Sequence, residues 1–570
     1  RFFPSILFSR LLPSLADILR SSPGDTNLEC RPLSIKLWPP SDNTRNMLVE
    51  RMTSNLTSKS FFTQKYGTLS QEEATDESKR IEDIAFATAN QNYENHPDGD
   101  GSAAVQLYAK ECSRLLLEVL KRGPRVEADK EEVGSDIASA PRETFFDISK
   151  GRREFIEAEE AEELLKPLKE PGNSYTKICF SNRSFGLEAA RVTEPILVSL
   201  KDQLKEVDLS DFIAGRTESE ALEVMKLFSD ALEGSILRSL NLSNNALGEK
   251  GVRAFGSLLK SQTWLEELYF MNDGISKEAA QAVSELIPST DKLRVLQFHN
   301  NMTGDEGALA IAEIVKRSPL LEDFQCSSSR IDSEGGVALC IALETCTNLK
   351  KLDLRDNMLG VEGGLALSKS LAYHVDLKEL YLSYLNLEDE GAIAIANALK
   401  DTAPALEVLE MAGNDITAEA ASALAACIAQ KSHLTSLNLA ENELKDEGTI
   451  LISKALEGHI KIKEVDMSTN LIRRAGARVL AQTMVQKPGF VLLNINGNFI
   501  SDEGIDEVKD IFKKHPDMLG PLDENDPEGV DDNEDEDEDE DEDKDPVADE
   551  NDEDELGSKL KNLEVDQENY

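Results

Sequence analysis

The sequence predicts an α/β solenoid, with short parallel strands lining a concave face and helices covering the convex one. A small all-helical domain precedes it and a disordered acidic tail follows it. Three observations carry that prediction. Ten copies of one pattern begin at residues 237, 265, 293, 321, 349, 377, 406, 434, 462 and 490, from LRSLNLSNNALG to FVLLNINGNFIS. The pattern, L-x-x-L-x-L-x-x-N-x-L, is that of a leucine-rich repeat. Between copies lie stretches such as GDEGALAIAEIVKRSP, whose apolar residues fall at helical spacing. Near the C-terminus, 19 of the 25 residues from Asp531 to Glu555 are Asp or Glu, a composition that repels itself and cannot bury enough apolar surface to fold.

The elements follow in order along the chain. Residues 1–34 are apolar and arginine-bearing, with no acid before Asp17; they read as a leader, either disordered or like an organelle transit peptide. The chain starts on Arg1, so the numbering can also begin upstream of the translation start. Residues 35–122 hold three helical patterns: one after Trp38-Pro39-Pro40, then EEATDESKRIEDIAFATANQNY and SAAVQLYAKECSRLLLEVLKR. Residues 123–142 are polar with Gly and Pro and read as a linker. The repeat domain spans 143–519, and its first part, 143–172, reads as a strand and helix that cap the open end of the core. Two looser copies, YTKICFSNRSFG at 175 and LKEVDLSDFIAG at 204, precede the ten clear ones. Residues 520–570 form the acidic tail. A 28-residue period with a full helix per repeat resembles the ribonuclease-inhibitor class of these solenoids.

Composition limits function. A 570-residue chain is too long for one compact core. Its net charge is -47, of which the segment 531–555 supplies -18, so electrostatics oppose binding to nucleic-acid phosphates or anionic lipid and favour basic partners. Seven cysteines with no CxxC pair read as reduced, packed thiols. Six scattered histidines make no metal-ligand pattern, and no apolar run approaches the ~20 residues that span a bilayer. HPDGDGSAAVQ (96–106) is not a calcium loop, because Ala103 and Ala109 stand where glycine and a bidentate carboxylate are needed. With no phosphate loop, nucleophile elbow or dinucleotide fingerprint, the chain carries no self-contained catalytic set and is expected to act on something it binds.

Within each repeat the leucines alternate inward, so the residues between them face the concave surface. The asparagine eight places after the first leucine recurs in seven of the ten clear copies, Asn245, Asn301, Asn357, Asn414, Asn442, Asn470 and Asn498, and reads first as a buried backbone bracket. One place earlier, the column Asn244, Asn272, Asn300, Ser328, Asp356 is polar through five repeats on the rim where the strands end. A solvated edge and a binding edge both explain it. The copy at 204 is followed by the next 33 residues later, and the five extra residues are expected to bulge from that same rim around DFIAGRTESEAL. There Gly215 permits an unusual turn beside Arg216, which can be presented to a partner's phosphate or acidic surface. An ordinary exposed loop arginine is the competing reading.

Together the Trp38-Pro39-Pro40 domain, the 28-residue repeats and the acidic tail resemble plant Ran GTPase-activating proteins, over about residues 34–570. The resemblance implies that the protein binds Ran-GTP and speeds its hydrolysis without inserting an arginine finger, by positioning the GTPase's own glutamine. GTP and Mg2+ stay with the GTPase, so no cofactor is implied. By motif, it assigns activating roles to Arg216 in FIAGR, Asn272 in LYFMND, Asn245 in LSNNALG and Asp356 in LDLRDN. For Asn245 the bracket role competes directly. It also implies that Trp38, Pro39 and Pro40 address the protein to coiled-coil proteins of the nuclear envelope, giving a location in the cytoplasm and at the cytoplasmic face of the envelope, and on the cell plate and mitotic structures in division. Against that stands a core Trp38 with Pro39-Pro40 merely starting a helix. A stoichiometric repeat inhibitor and an acidic histone chaperone are the rival functions, and the repeat period with the N-terminal domain favours the activator.

Overall fold

The computed structural model describes residues 38–40, 42–57, 69–95, 102–122, 144–149 and 153–526. The leader 1–34, the linker 123–142 and the acidic run 531–555 lie outside the described residues. The chain divides into two compact units, 1–138 and 139–570, and each is described by itself.

The first unit is a bundle of α1 (Asp42–Thr57), α2 (Gln71–Asn95) and α3 (Ser102–Arg122), in agreement with the three helical patterns. Leu48, Met52, Leu56, Ile81, Ala85, Ala89 and Leu116 are spaced at helical intervals and fully buried between the helices. Trp38 lies in this core at 2% exposure. Its ring stacks on Phe86 at 5.3 Å and meets the edge of Tyr108 at 5.5 Å, while its indole N–H donates to Asn90. Beneath it Arg45 grips Glu82 through two hydrogen bonds of 2.6 and 2.7 Å, and Tyr108 donates to the same carboxylate. This pairing compensates a carboxylate that would otherwise be costly to bury.

The second unit is the expected solenoid. After β1 (Phe145–Asp147), β2 (Glu154–Ile156), β3 (Lys177–Cys179), β4 (Arg183–Phe185) and β5 (Glu206–Asp208), one strand per repeat runs to Leu492–Asn494. Thirteen strands form one parallel sheet, in which β1 pairs β3 and β3 pairs β5, while β2 and β4 make a separate pair. Register follows the repeat: Leu240 faces Leu268, which faces Leu296, which faces Phe324. Strands such as Ser239–Asn241, Glu267–Tyr269 and Val295–Gln297 read half-buried, buried, half-buried, so the middle leucine enters the core and its neighbours face the concave side. One continuous core, mostly of leucines, runs from the cap to Leu522, thickened near its start by Phe180, Phe185, Phe212, Phe228 and Phe255. No single repeat could bury this surface alone. The six described cysteines are all free and buried, and burial pushes the thiols of Cys326 and Cys340 up to about 12.

Two expectations need correction. The solenoid does not end at 519. Gly520 donates its N–H to the Leu493 carbonyl, Asn525 accepts the Asn498 N–H, and Leu522 is 9% exposed. Residues 520–526 therefore close the last repeat, because a terminal strand otherwise leaves its backbone groups unpaired. The extra residues of the interrupted repeat do not all lie in the rim turn either. Nine residues separate β5 from the helix Glu218–Ala231, where six separate the strand Val295–Gln297 from the helix Gly304–Lys316. Three of the five are thus in the turn; the others lengthen the helix and its return.

Candidate functional site

Each strand must turn into its helix within about six residues, and the backbone does so through a left-handed residue. Asn244, Asn272, Asn300, Ser328 and Asp356 have φ of 64°, 55°, 58°, 51° and 57°. Short polar side chains tolerate that region best, so the polar rim column has a backbone cause. Its N–H groups extend the sheet ladder by one more rung, Asn272 donating to the His299 carbonyl at 3.0 Å and Asp356 to that of Ser383 at 3.0 Å.

The rim side chains form a second ladder above this one. Asn300 donates to Asn272 at 2.9 Å, Asn272 donates to Asn244 at 3.1 Å, and Ser328 donates to Asp356 at 2.7 Å. All but Ser328 are exposed. Asn272 and Asp356 line one groove of about 880 Å³ with Asn300, Ser328 and Tyr384, bordered by Met302 and Met358 at 49% and 63% exposure. Below it on the concave floor, burial raises the carboxyls of Asp323 and Glu410 above their ordinary range. The groove thus joins a row of amide and carboxylate groups to two large apolar side chains, a surface fitted to gripping a polypeptide segment.

Asn245 and Arg216 are not among its lining residues. Asn245 is 2% exposed and its amide is spent internally: Nδ2 donates to the Leu209 and Leu242 carbonyls at 2.8 and 2.7 Å, and Oδ1 accepts from Phe212 N at 3.0 Å. The bracket reading of Asn245 holds, and the segment it brackets, through Phe212, is the turn that carries Arg216.

Arg216 does not project outward, as the sequence reading expected. Its side chain is 9% exposed. The guanidinium donates to Glu157 at 2.6 Å, to the Ser184 carbonyl at 2.7 Å, to the Ser184 hydroxyl at 3.2 Å and to the Ile156 carbonyl at 3.2 Å, under the ring of Phe155. Gly186 makes room, since a Cβ there would stand 2.9 Å from the guanidinium. The reason for this posture is electrostatic: a buried guanidinium takes five donors to wherever acceptors converge, and β2, β4 and their following residues supply them. Arg216 therefore rivets the long turn to the cap.

In the first unit, Trp38 is sealed in the core, Pro40 is buried and Pro39 is exposed. The core reading of Trp38 is the one observed, and Pro39 alone of the three offers itself to a partner. Among the described residues no three metal-ligating side chains cluster, and no helix is long and apolar enough to cross a membrane.

Sequence reasoning missed Met302, Met358 and Tyr384. A signal was present: Met302 and Met358 follow directly on bracket asparagines, where Ala246 and Gly274 stand in other repeats.

Comparison with known proteins agrees with this layout. Residues 34–130 match the model of the WPP domain, and five segments between 236 and 453 match that of the leucine-rich repeat. The chain is 72% identical over 555 residues to RAN GTPase-activating protein 2 of Arabidopsis thaliana, covering 97% of this chain and 100% of that one. It is 65% identical to RAN GTPase-activating protein 1 of the same plant, over 88% of this chain and 92% of that one. WPP domain-containing protein 1 of Arabidopsis thaliana is 33% identical over 19% of this chain and 68% of its own length.

Proposed function

From its membership of the plant Ran GTPase-activating protein family, to which this chain belongs, we propose that it offers the rim from Asn272 to Asp356 to GTP-loaded Ran. It is a Ran GTPase activator. A GTPase already owns its phosphate-binding loop, its Mg2+ and the glutamine that orients the attacking water. What an activator adds without an inserted arginine is position. The rim amides, of which Asn272 is central, hold the segment that carries that glutamine in the attacking geometry, and a displacement of about 1 Å there is worth on the order of a hundredfold in rate. GTP and Mg2+ stay with Ran, and this chain contributes no active site of its own.

The observation that supports this most is the hydrogen-bonded row Asn244–Asn272–Asn300, in which each amide is fixed by its neighbour before a partner arrives. Pre-organised donors need no reorganisation at the moment of reaction. Arg216 serves the site from its docked place, by holding the first long turn against the cap, and Asn245 serves by bracketing the same turn. Met302 and Met358 supply apolar contact. The acidic tail adds long-range attraction for basic surfaces of Ran, an effect that salt weakens.

The helical unit acts as the address. It docks on coiled-coil proteins at the nuclear envelope through the surface that includes exposed Pro39, with Trp38 and Pro40 shaping that surface from within. The protein then resides in the cytoplasm and at the cytoplasmic face of the envelope, and moves to the cell plate in division.

The test is turnover. Added far below the concentration of Ran-GTP, the protein should drive hydrolysis of the whole pool by Ran; an effect that stops at stoichiometric amounts would identify a binding protein instead.

A further inference from the structure

The buried asparagine ladder breaks at the repeat that carries Asn272. In an intact rung such as Asn301, Oδ1 accepts two N–H groups of the preceding repeat, from Asp273 at 3.1 Å and Ile275 at 3.0 Å. The amide nitrogen of that rung donates to the Phe270 carbonyl at 2.8 Å and also to those of Phe298 and His299. Asn357 repeats this, accepting from Ser329 and Ile331 and donating to Cys326 and Leu354. At 273 the same place is held by an aspartate with no exposed surface. Oδ1 does the asparagine oxygen's work, accepting Asn245 N at 2.8 Å. Oδ2 takes the place of the donating nitrogen, is buried, and has no partner. An ionised oxygen has only lone pairs to present where the ladder requires a donor, and a carboxylic acid O–H meets that requirement.

We propose that Asp273 sits in the ladder as a neutral carboxylic acid whose Oδ2 proton replaces the missing amide, and that this proton positions the turn carrying Asn272. The positioning half rests on the reading that Asn272 acts on Ran; the neutral-acid half does not. Asp273 is a positioning residue: it bonds the backbone of Asn245 and Leu247 in one repeat, and its own N–H is held by Asn301 in the next.

The charged groups on the packed turns are engaged elsewhere. Glu249 pairs with Arg253, Lys277 with Glu306, Glu278 accepts from Ser276, and Asp305 accepts the N–H groups of Asp332 and Gly335. Burial lowers the pKa of His299, on which the charges of Asp353, Arg355, Asp323 and Lys351 also act. Burial therefore dominates, and it lifts the Asp273 carboxyl well above its ordinary 3.8, opposed only by the two backbone N–H bonds. Between that ordinary value and the raised one, the folded chain holds a proton that the unfolded chain lacks, so stability falls as pH rises through the interval.

The full chain is melted from pH 5 to 9 as wild type and as Asp273→Asn, which restores the ladder amide. The variant should melt higher, with a gap that widens toward alkaline pH, up to about tenfold in folding equilibrium per pH unit. The infrared spectrum of wild type should contain a protonated-carboxyl band that the variant lacks. A gap that is flat in pH, or a less stable variant, overturns the neutral acid. For positioning, Asp273→Ala should lower the single-turnover rate at saturating activator by on the order of tenfold, and Asp273→Asn should recover it. Full activity in a folded Asp273→Ala overturns the positioning role, whereas full activity in Asn272→Gly overturns the reading of the rim on which it rests.

Discussion

Two columns that both carry asparagines run side by side through the repeats, one position apart, and they do opposite work. In the inner column, Asn442 accepts the N–H groups of Asn414 and Ile416 and donates to the Met411 and Leu439 carbonyls, all out of contact with water. In the outer column, the side chain of Asn272 bonds the like side chains of Asn244 and Asn300 and stands exposed on a left-handed backbone. An amide whose four hydrogen-bonding sites are spent on backbone is scaffold. An amide whose bonds are to equals at a surface is still free to bond a guest. Residue type alone cannot separate the two; repeat position and the direction of the side chain do.

Substitution can break this contrast. The largest effect is expected inside. Asn442→Ala leaves buried backbone groups unpaired at about 1–3 kcal/mol each, so chemical unfolding should register a loss of at least ~3 kcal/mol, while activation per folded molecule stays at the wild-type level. A drop in activity without a drop in stability would dissolve the distinction. Arg216→Ala comes next. Loss of a buried guanidinium leaves Glu157 and two carbonyls short of donors, which should lower the melting temperature and cut activation about tenfold. Arg216→Lys should recover little of either, since an ammonium cannot fork to several acceptors. An unchanged melting temperature in Arg216→Ala would mean that the arginine leaves its rivet and acts outward.

Smaller effects sharpen the outer column. Asp356→Asn keeps the left-handed turn and the bond from Ser328 but removes a charge. It should raise KM for Ran-GTP a few-fold and leave kcat near wild type, and its stability should change by less than about 0.5 kcal/mol. The mildest test is salt. Raising ionic strength should slow association with Ran several-fold without altering the saturated rate; loss of the saturated rate itself would place charge, not position, at the centre of the reaction.

Much of this was legible in the sequence, for a physical reason. Leucines at fixed spacing can be buried in one way only, so the solenoid, its parallel register and the inner asparagine bracket follow from periodicity. The outer column was visible as polar, but its left-handed backbone and its side-chain ladder depend on neighbours 28 residues away. The posture of Arg216 was hidden because Glu157 and Ser184, its acceptors, lie 59 and 32 residues upstream in an irregular cap. The closing segment 520–526 was read as tail because PLDENDP has the composition of a tail; it is ordered by backbone partners that composition does not reveal. Trp38 could be sorted into core or surface only once Phe86 and Tyr108 were seen to enclose it.

The central claim is that the outer column positions a bound GTPase while the inner one only builds. Single-turnover hydrolysis of Ran-bound GTP at saturating activator, well below any melting transition, tests it directly with Asn272→Gly beside Asn442→Ala. Glycine removes the amide and keeps the left-handed backbone, where alanine would add about 1 kcal/mol of strain. The account predicts a rate on the order of a hundredfold lower for Asn272→Gly and a wild-type rate for Asn442→Ala. Equal rates for the two, at either level, would contradict it.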